Sequence, residues 1–429
     1  MLLNRIFKKF ILHIRIGGIC MNRRIISIFV LLAMSLTFLS ACTDSSKESA
    51  IQEVDYDPVA EVAKYDLGEI PEEDKDFVIQ MGYRDCDHMV ASIIGEMAGI
   101  YDALGLNVVV TKTGKIMEAM SSGEMHVGYQ GIEGAIRSVN EGAPLFMAAA
   151  NHVGGSRYLV VSNDINKSED LVGKTLAIGS SAEVRPEWRR WAEELGIPME
   201  LSNYEVVDMG DKDKLFALKA GQLDAFSCCD PYASQAEFEG VGKIMAVGWG
   251  AHVSDSLEEG WGMCCIYCMN NDFLEEHPEL ARRLVLAHAL AIKYMYEHPY
   301  NAGMMFAEGF GVQPEVGLRT IYMKTVAEGR TITWEFSEEN LNNFIQYYYD
   351  YNIPEEEIPK IEDINRFMSK NLLETCGIED FETFLKEAKI DENFPIGLSF
   401  EEWLEKAMAI DGIDAEKANL AQMPENWFE

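Results

Sequence analysis

Between residues 77 and 247 the chain alternates short apolar runs with helical stretches, and nearly every run ends in a glycine or a polar turn. Residues 77–81 (FVIQM) predict a strand, closed by Gly82-Tyr83-Arg84-Asp85. Residues 90–104 place Ile93, Met97, Ile100, Tyr101 and Leu104 at helical spacing, with Gly105 as the stop. Residues 106–110, 126–128 and 145–150 predict further strands, with helices over 116–121 and 132–140 between them. The rhythm restarts after Arg157: strands over 158–161, 175–178, 204–207, 224–228 and 244–247, with helices over 187–195 and 215–220. Strand, loop and helix in alternation predict parallel sheets covered by helices, an α/β fold. Two such units in series, with no short sequence repeat, predict a bilobed protein.

The rest of the chain is different. Residues 261–269 (WGMCCIYCM) read as one more strand, and Pro278 suits the first turn of a helix carried through 280–297 by Leu284, Ala287, Ala291 and Met295. From residue 337 the chain is acidic, helical and aromatic, with Ser337 as an N-cap and Ser399-Phe400-Glu401-Glu402 as a capping box. These helices are expected to pack on the outside of the lobes.

The N-terminus reads as an address. Met21-Asn22-Arg23-Arg24 precedes an apolar run over 25–39, which is shorter than the roughly 20 residues that span a bilayer. Leu39-Ser40-Ala41-Cys42 resembles the lipobox of bacterial lipoproteins, which implies lipidation of Cys42 and removal of the signal peptide 1–41. Residues 1–20 read as an upstream start-site extension, and 42–76 as an anchored linker. The formal net charge is −35, and all six basic residues ahead of Cys42 stand in an acid-free stretch. Beyond them 30 basic residues face 71 acidic ones, or −41. Such a surface repels phosphate backbones, which argues against nucleic acid.

Five phrases in order resemble the substrate-binding proteins of ABC importers of the nitrate, sulfonate and taurine class. They are IYDALGLNV (100–108), AMSSGEMHVG (119–128), LVGKTLA (171–177), LKAGQLDA (218–225) and FLEEHPEL (273–280). The resemblance implies a two-lobed periplasmic-binding-protein type II fold with a hinge and extra C-terminal helices. Its lobes would be 77–155 with the return 251–336, and 156–250, followed by a helical extension over 337–429. It also implies a small-molecule ligand, an ABC permease and ATPase as partners, membrane attachment through the lipid, and no catalysis.

In open α/β sheets ligands bind at the carboxyl ends of the strands. That rule nominates Tyr83, Arg84, His88, Gln130, Gly131, Asn151, His152, Ser180, Ser181 and Asp230. Helix N-termini behind several of these loops favour an anionic or carbonyl-rich ligand. Arg185, Arg189 and Arg190 beside Trp188 and Trp191 read either as an anion clamp or as a solvated face.

Seven cysteines follow Cys42: Cys86, Cys228, Cys229, Cys264, Cys265, Cys268 and Cys376. An odd number leaves at least one thiol unpaired in an exported chain. Three readings stay open: core thiols, one or two disulfides, or soft ligands that with His88 and His152 hold a metal or a metal complex, with no resident cofactor otherwise expected. Strand alternation would point Cys264 and Cys268 one way and Cys265 the other. Cys264, Cys265, Tyr267 and Cys268 also resemble the iron-linked Cys-Cys-Cys-Phe-Cys run of thiamin-pathway pyrimidine synthases, with Ile266 replacing the third cysteine. That enzymatic reading and a sensory receptor are the alternatives. A nucleophile elbow, a P-loop and a His-Glu-x-x-His motif are all missing from the sequence.

Overall fold

The computed structural model describes residues 51, 54–248, 262–369, 371–415 and 418–428. The predicted signal segment, Cys42 and the first part of the linker lie outside the described residues. The ten described strands are β1 (Val78–Tyr83), β2 (Asn107–Lys112), β3 (Val127–Gly131), β4 (Leu145–Val153), β5 (Tyr158–Ser162), β6 (Thr175–Ala177), β7 (Glu205–Val206), β8 (Ala225–Cys228), β9 (Gly242–Val247) and β10 (Met263–Asn270). The helices used below are α1 (Ala91–Met97), α2 (Ile132–Asn140), α3 (Pro186–Leu195), α4 (Tyr232–Phe238), α5 (Pro278–Glu297), α6 (Pro299–Phe310), α7 (Pro314–Tyr322), α8 (Glu338–Asp350) and α9 (Phe400–Ile410).

The strands form two sheets, in the orders β2-β1-β3-β10-β4 and β7-β6-β8-β5-β9. Neither is purely parallel. β10 runs antiparallel to β3 and β4, and β5 antiparallel to β8 and β9. The expectation of parallel sheets fails at these two strands for one reason: each arrives from the other lobe without a crossover helix, so it enters its sheet from the opposite end. The result is an α/β protein of two mixed sheets.

Local expectations hold where the signal is local. Pro278 opens α5 at its first turn, Ser337 caps α8, and Ser399 with Glu402 closes a capping box on α9. Where residues 90–104 predict one helix, the chain makes two, because Gly99 turns into the left-handed region at φ 71°. β4 extends beyond its predicted end and takes in Asn151, His152 and Val153, since β10 pairs with it as far as Val153 opposite Met263.

Val153 N–H donates to Thr331 O at 2.9 Å and Ala150 N–H to Trp334 O at 3.0 Å, so the segment after α7 continues the edge of the first sheet. α5 is consequently enclosed on almost every side. Its buried polar groups find partners: Arg283 Nη1 donates to Leu104 O at 2.7 Å, and Lys293 Nζ meets Glu379 Oε1 at 2.8 Å. α6 and α7 approach so closely that a methyl group on Gly317 would stand 2.3 Å from Gly303 O.

Candidate functional site

A cavity of about 1260 Å³ opens between the two sheets. The turn after β1 supplies Arg84, Cys86 and His88, and the end of β3 supplies Gln130 and Gly131. The β4–β5 crossing supplies Ser156 and Arg157, the turn after β8 supplies Cys229, and the antiparallel β10 brings Cys264 and Cys265 to the same level. The loops also touch: Asp87 N–H donates to Asp230 O at 3.0 Å, joining the turns after β1 and β8.

Two guanidinium groups face this space from opposite sheets. Arg84 is exposed and Arg157 half-buried, and neither makes an ion pair within 4.0 Å among the described residues. Arg157 Nη2 reaches only Ser227 Oγ, at 3.4 Å. Burial disfavours the Arg84 cation, but Cys86, Cys265 and Cys229 outweigh it and raise its pKa. An unpaired Arg at each side is a ready anion clamp.

Below the arginines lies a thiol–imidazole cluster. All seven described cysteines are free thiols, and four of them converge here. His88 Nδ1 lies 3.2 Å from Cys265 Sγ and 3.8 Å from Cys264 Sγ, and the two sulfurs are 3.9 Å apart. The alternation expected of a strand is broken here. The β10–β4 register shifts on both sides of Cys265, so adjacent thiols share one site while Cys268 turns into an apolar cluster with Ile266 and Met147. Cys228 is likewise a core residue. Hydrogen bonds from Cys229 and Cys265, opposed by burial, hold the Cys86 thiol well below its usual range. Cys265 does the same for Cys264, helped by His88 and His152. Their partners Cys229 and Cys265 are pushed up.

The rings of His88 and His152 stack with centroids 3.8 Å apart and planes 7° apart. Behind each stands a carboxylate: Asp87 Oδ1 is 3.5 Å from His88 Nε2, and Glu328 Oε2 is 3.7 Å from His152 Nε2. Lys324 Nζ ties the pair together, 2.7 Å from Asp87 Oδ2 and 2.6 Å from Glu328 Oε1. Glu328 also accepts from Ser156 Oγ at 2.8 Å and Tyr158 OH at 2.6 Å. Burial would raise its pKa, but Lys324 and then His152 overcome that and lower it to about 2. Asp87 lacks the hydroxyl donors, and burial raises it to about 8. Lys324 sits in a π-helical turn, Met323–Ala327, a departure from α-geometry that often marks a functional position.

Of the residues nominated from sequence, Arg84, His88, Gln130 and Gly131 reach the cavity wall. Asn151 and His152 stand behind it: Asn151 Nδ2 donates to His88 O and so fixes the loop that carries the imidazole. Tyr83 turns away, donating to Gly309 O at 3.2 Å and packing on Phe310. Asp230 is buried just ahead of α4, accepting from Ser234 N–H at 2.9 Å and Ser234 Oγ at 2.8 Å. Ser180 and Ser181 lie in the turn after β6, outside the wall, where Ser180 N–H donates to Asp208 Oδ1 at 3.0 Å.

Sequence reasoning passed over Arg157, Lys324, Glu328 and the tyrosines of α8. Tyr347 and Tyr348 line the cavity. Tyr348 OH meets Glu133 Oε2 on α2 at 3.2 Å, and Arg189 on α3 donates to Tyr351 O at 2.9 Å. Of the Arg185–Arg190 face, Arg190 lines the cavity and pairs with Glu194, Arg185 pairs with Glu133 on α2, and Arg189 braces the end of α8. No local pattern announces the contacts of Tyr348 and Arg189, because they join residues 215 and 162 positions apart.

Residues 72–307 match the model of the NMT1-like family, more than half of the chain. A taurine-binding periplasmic protein of Escherichia coli is 25% identical over 173 residues, 39% of this chain and 50% of that protein. The chain thus spans about half the length of this curated relative. Among solved structures, the ligand-binding component of an ABC-type import system from Staphylococcus aureus, with zinc bound, superposes at TM-score 0.54 and 15% identity over 70% of this chain and 99% of that one. The periplasmic aliphatic sulphonate-binding protein of Escherichia coli gives 0.52 at 15% over 68% and 92%. The periplasmic nitrate-binding protein of Synechocystis PCC 6803 gives 0.50 at 15% over 78% and 97%. At these identities the likeness is one of fold, that of periplasmic binding proteins.

Proposed function

Because the chain belongs to the NMT1-like family, we propose that it is the solute receptor of an ABC importer and captures a small organic anion between its two sheets. One observation carries the reading: the cavity is walled by both sheets and presents an unpaired guanidinium from each, Arg84 and Arg157. A sulfonate, carboxylate or phosphate head group bridging the two would hold the lobes closed, with the crossing at 154–157 as a hinge. The taurine-binding relative and the sulphonate-binding neighbour support the anionic class. The aromatic wall from α8 would then cover the organic part of the ligand. Binding and closure are the whole reaction; no bond is made or broken. The receptor is exported, tethered at the outer face of the membrane through Cys42, and passes its cargo to a permease and ATPase.

Calorimetry with taurine, longer alkanesulfonates, alkyl phosphates and nitrate tests the reading, with small-angle scattering on the same samples. At least one anion should bind at a ratio of one and compact the protein. Arg84→Ala with Arg157→Ala should weaken it by about 100-fold or more, at two charge-assisted hydrogen bonds of about 1.5–3 kcal/mol each, with an unchanged far-ultraviolet spectrum. Silence across the panel, or turnover of the bound molecule, would overturn it.

A further inference from the structure

We propose that the floor of the cleft is a binding site for a single thiophilic d10 cation, Zn²⁺ or Cu⁺, with Cys86, Cys229 and Cys265 as sulfur ligands and His88 Nδ1 as the nitrogen ligand. The proposal goes beyond solute capture and does not depend on it.

Geometry supports it first. The donor atoms of Cys86, His88 and Cys265 lie within 4.8 Å of one another, and Cys229 is grouped with Cys86 and Asp87, so it must swing toward His88 and Cys265 to complete the tetrahedron. A tetrahedral ion with metal–sulfur bonds of about 2.3 Å and metal–nitrogen bonds of about 2.0–2.1 Å needs donors about 3.6–3.8 Å apart. The 3.2 Å from His88 Nδ1 to Cys265 Sγ is a few tenths short of that, a shift within reach of χ rotations. Cys264 and His152 form a third group with His88 and flank the ion as reserve donors.

The surroundings supply the second argument. His88 Nε2 and both ring nitrogens of His152 complete no hydrogen bond among the described residues, although both rings are buried. Buried imidazoles are rarely left so unless something else binds them. A ligating histidine typically turns its other nitrogen to a carboxylate, and Asp87 holds that position behind His88 as Glu328 does behind His152. Four thiols gathered without a disulfide, with Lys324 offsetting the carboxylates, form a soft and dry donor set that hard cations would not select. The donors come from both sheets: Cys86, His88 and Cys265 from the first, Cys229 from the second. The ion would therefore pin the lobes together, and its entry would release the thiol protons to solvent.

The test uses the whole mature chain, stripped with chelator and kept reduced under nitrogen. Cobalt(II) alone is titrated first as a coloured stand-in for Zn²⁺, followed by Zn²⁺ and then Cu⁺ in competition. The expected result is one equivalent of cobalt with sulfur-to-metal charge transfer and the intense visible bands of a tetrahedral site, displaced by one equivalent of Zn²⁺ or Cu⁺. Cys86→Ser with Cys265→Ser should abolish the spectrum, Asp87→Asn should weaken affinity about 10- to 100-fold, and Cys268→Ser should change nothing. Alkylation mapping by mass spectrometry on the unmutated protein covers the chance that the double variant misfolds: Zn²⁺ should shield Cys86, Cys229 and Cys265 from iodoacetamide. The proposal is overturned by absence of one-to-one binding, by a spectrum that survives the double variant, or by equal alkylation of the three thiols with and without metal. Anion binding that persists in metal-free protein, or metal binding in the Arg84→Ala, Arg157→Ala variant, shows which reading has failed.

Discussion

Replacing Lys324 by Met tests whether the charge network behind the cleft is a single interacting unit. The ammonium is fully buried, and so are Asp87 and Glu328 at 2.7 and 2.6 Å. Met matches the length of the chain and removes only the charge. Glu328 would then be left ionised with the hydroxyls of Ser156 and Tyr158 as its remaining close donors. Asp87, which burial raises to about 8, holds its charge less firmly at neutral pH and adds less than Glu328. The cost is therefore that of one broken buried pair, about 3–5 kcal/mol. That is a large share of the roughly 5–15 kcal/mol that holds a typical folded chain together. Urea unfolding followed by circular dichroism at pH 7 reads it directly, provided the slopes of variant and parent agree. The double variant Lys324→Met, Glu328→Gln removes the stranded charge, so it should be more stable than Lys324→Met alone by about 2 kcal/mol or more. A loss under about 1 kcal/mol for Lys324→Met, or strictly additive losses, would refute the reasoning.

Three other outcomes follow from single positions. Burial lowers the pKa of His288 to about 4, between Tyr129 OH and Ala150 O; its stabilising contribution is complete above about pH 6.5 and is lost as pH falls through 4. At about 1.36 kcal/mol per unit this amounts to about 3 kcal/mol, so urea midpoints measured from pH 7 to 4 should fall less steeply in His288→Gln. Gly317→Ala should cost about 1–3 kcal/mol in the same assay because its methyl would meet the backbone of α6, whereas Gly114→Ala, with nothing within 4 Å, should be neutral. Ser399→Ala removes the cap of α9 and should lower stability by about 1 kcal/mol, an effect that Ser399→Asp should not show.

The sequence by itself determined most of the elements and the caps and glycines that bound them. Gly105, Gly196 and Gly311 take up positive φ where helices or turns must end, Pro278 and Ser337 open helices, and apolar runs of the right length become strands. These signals are local: a cap or a glycine acts on backbone groups within one turn, so its meaning can be read in place. The strand-end rule also carried Arg84, His88, Gln130 and Gly131 to the cleft wall, because it follows from topology alone. Only the tertiary structure decided which side chains meet. Cys86 and Cys265 meet, with Cys264 beside them, because β10 returns antiparallel with a register broken on both sides of Cys265, and the turn after β8 brings Cys229 to Cys86. Lys324 looks like any lysine of a helical run until folding buries it between two carboxylates, and α8 looks like an outer helix until Tyr348 and Arg189 tie it across the cleft. Local chemistry fixes what each segment becomes. Long-range contacts fix what it faces, because burial and charge pairing depend on neighbours that the sequence keeps apart.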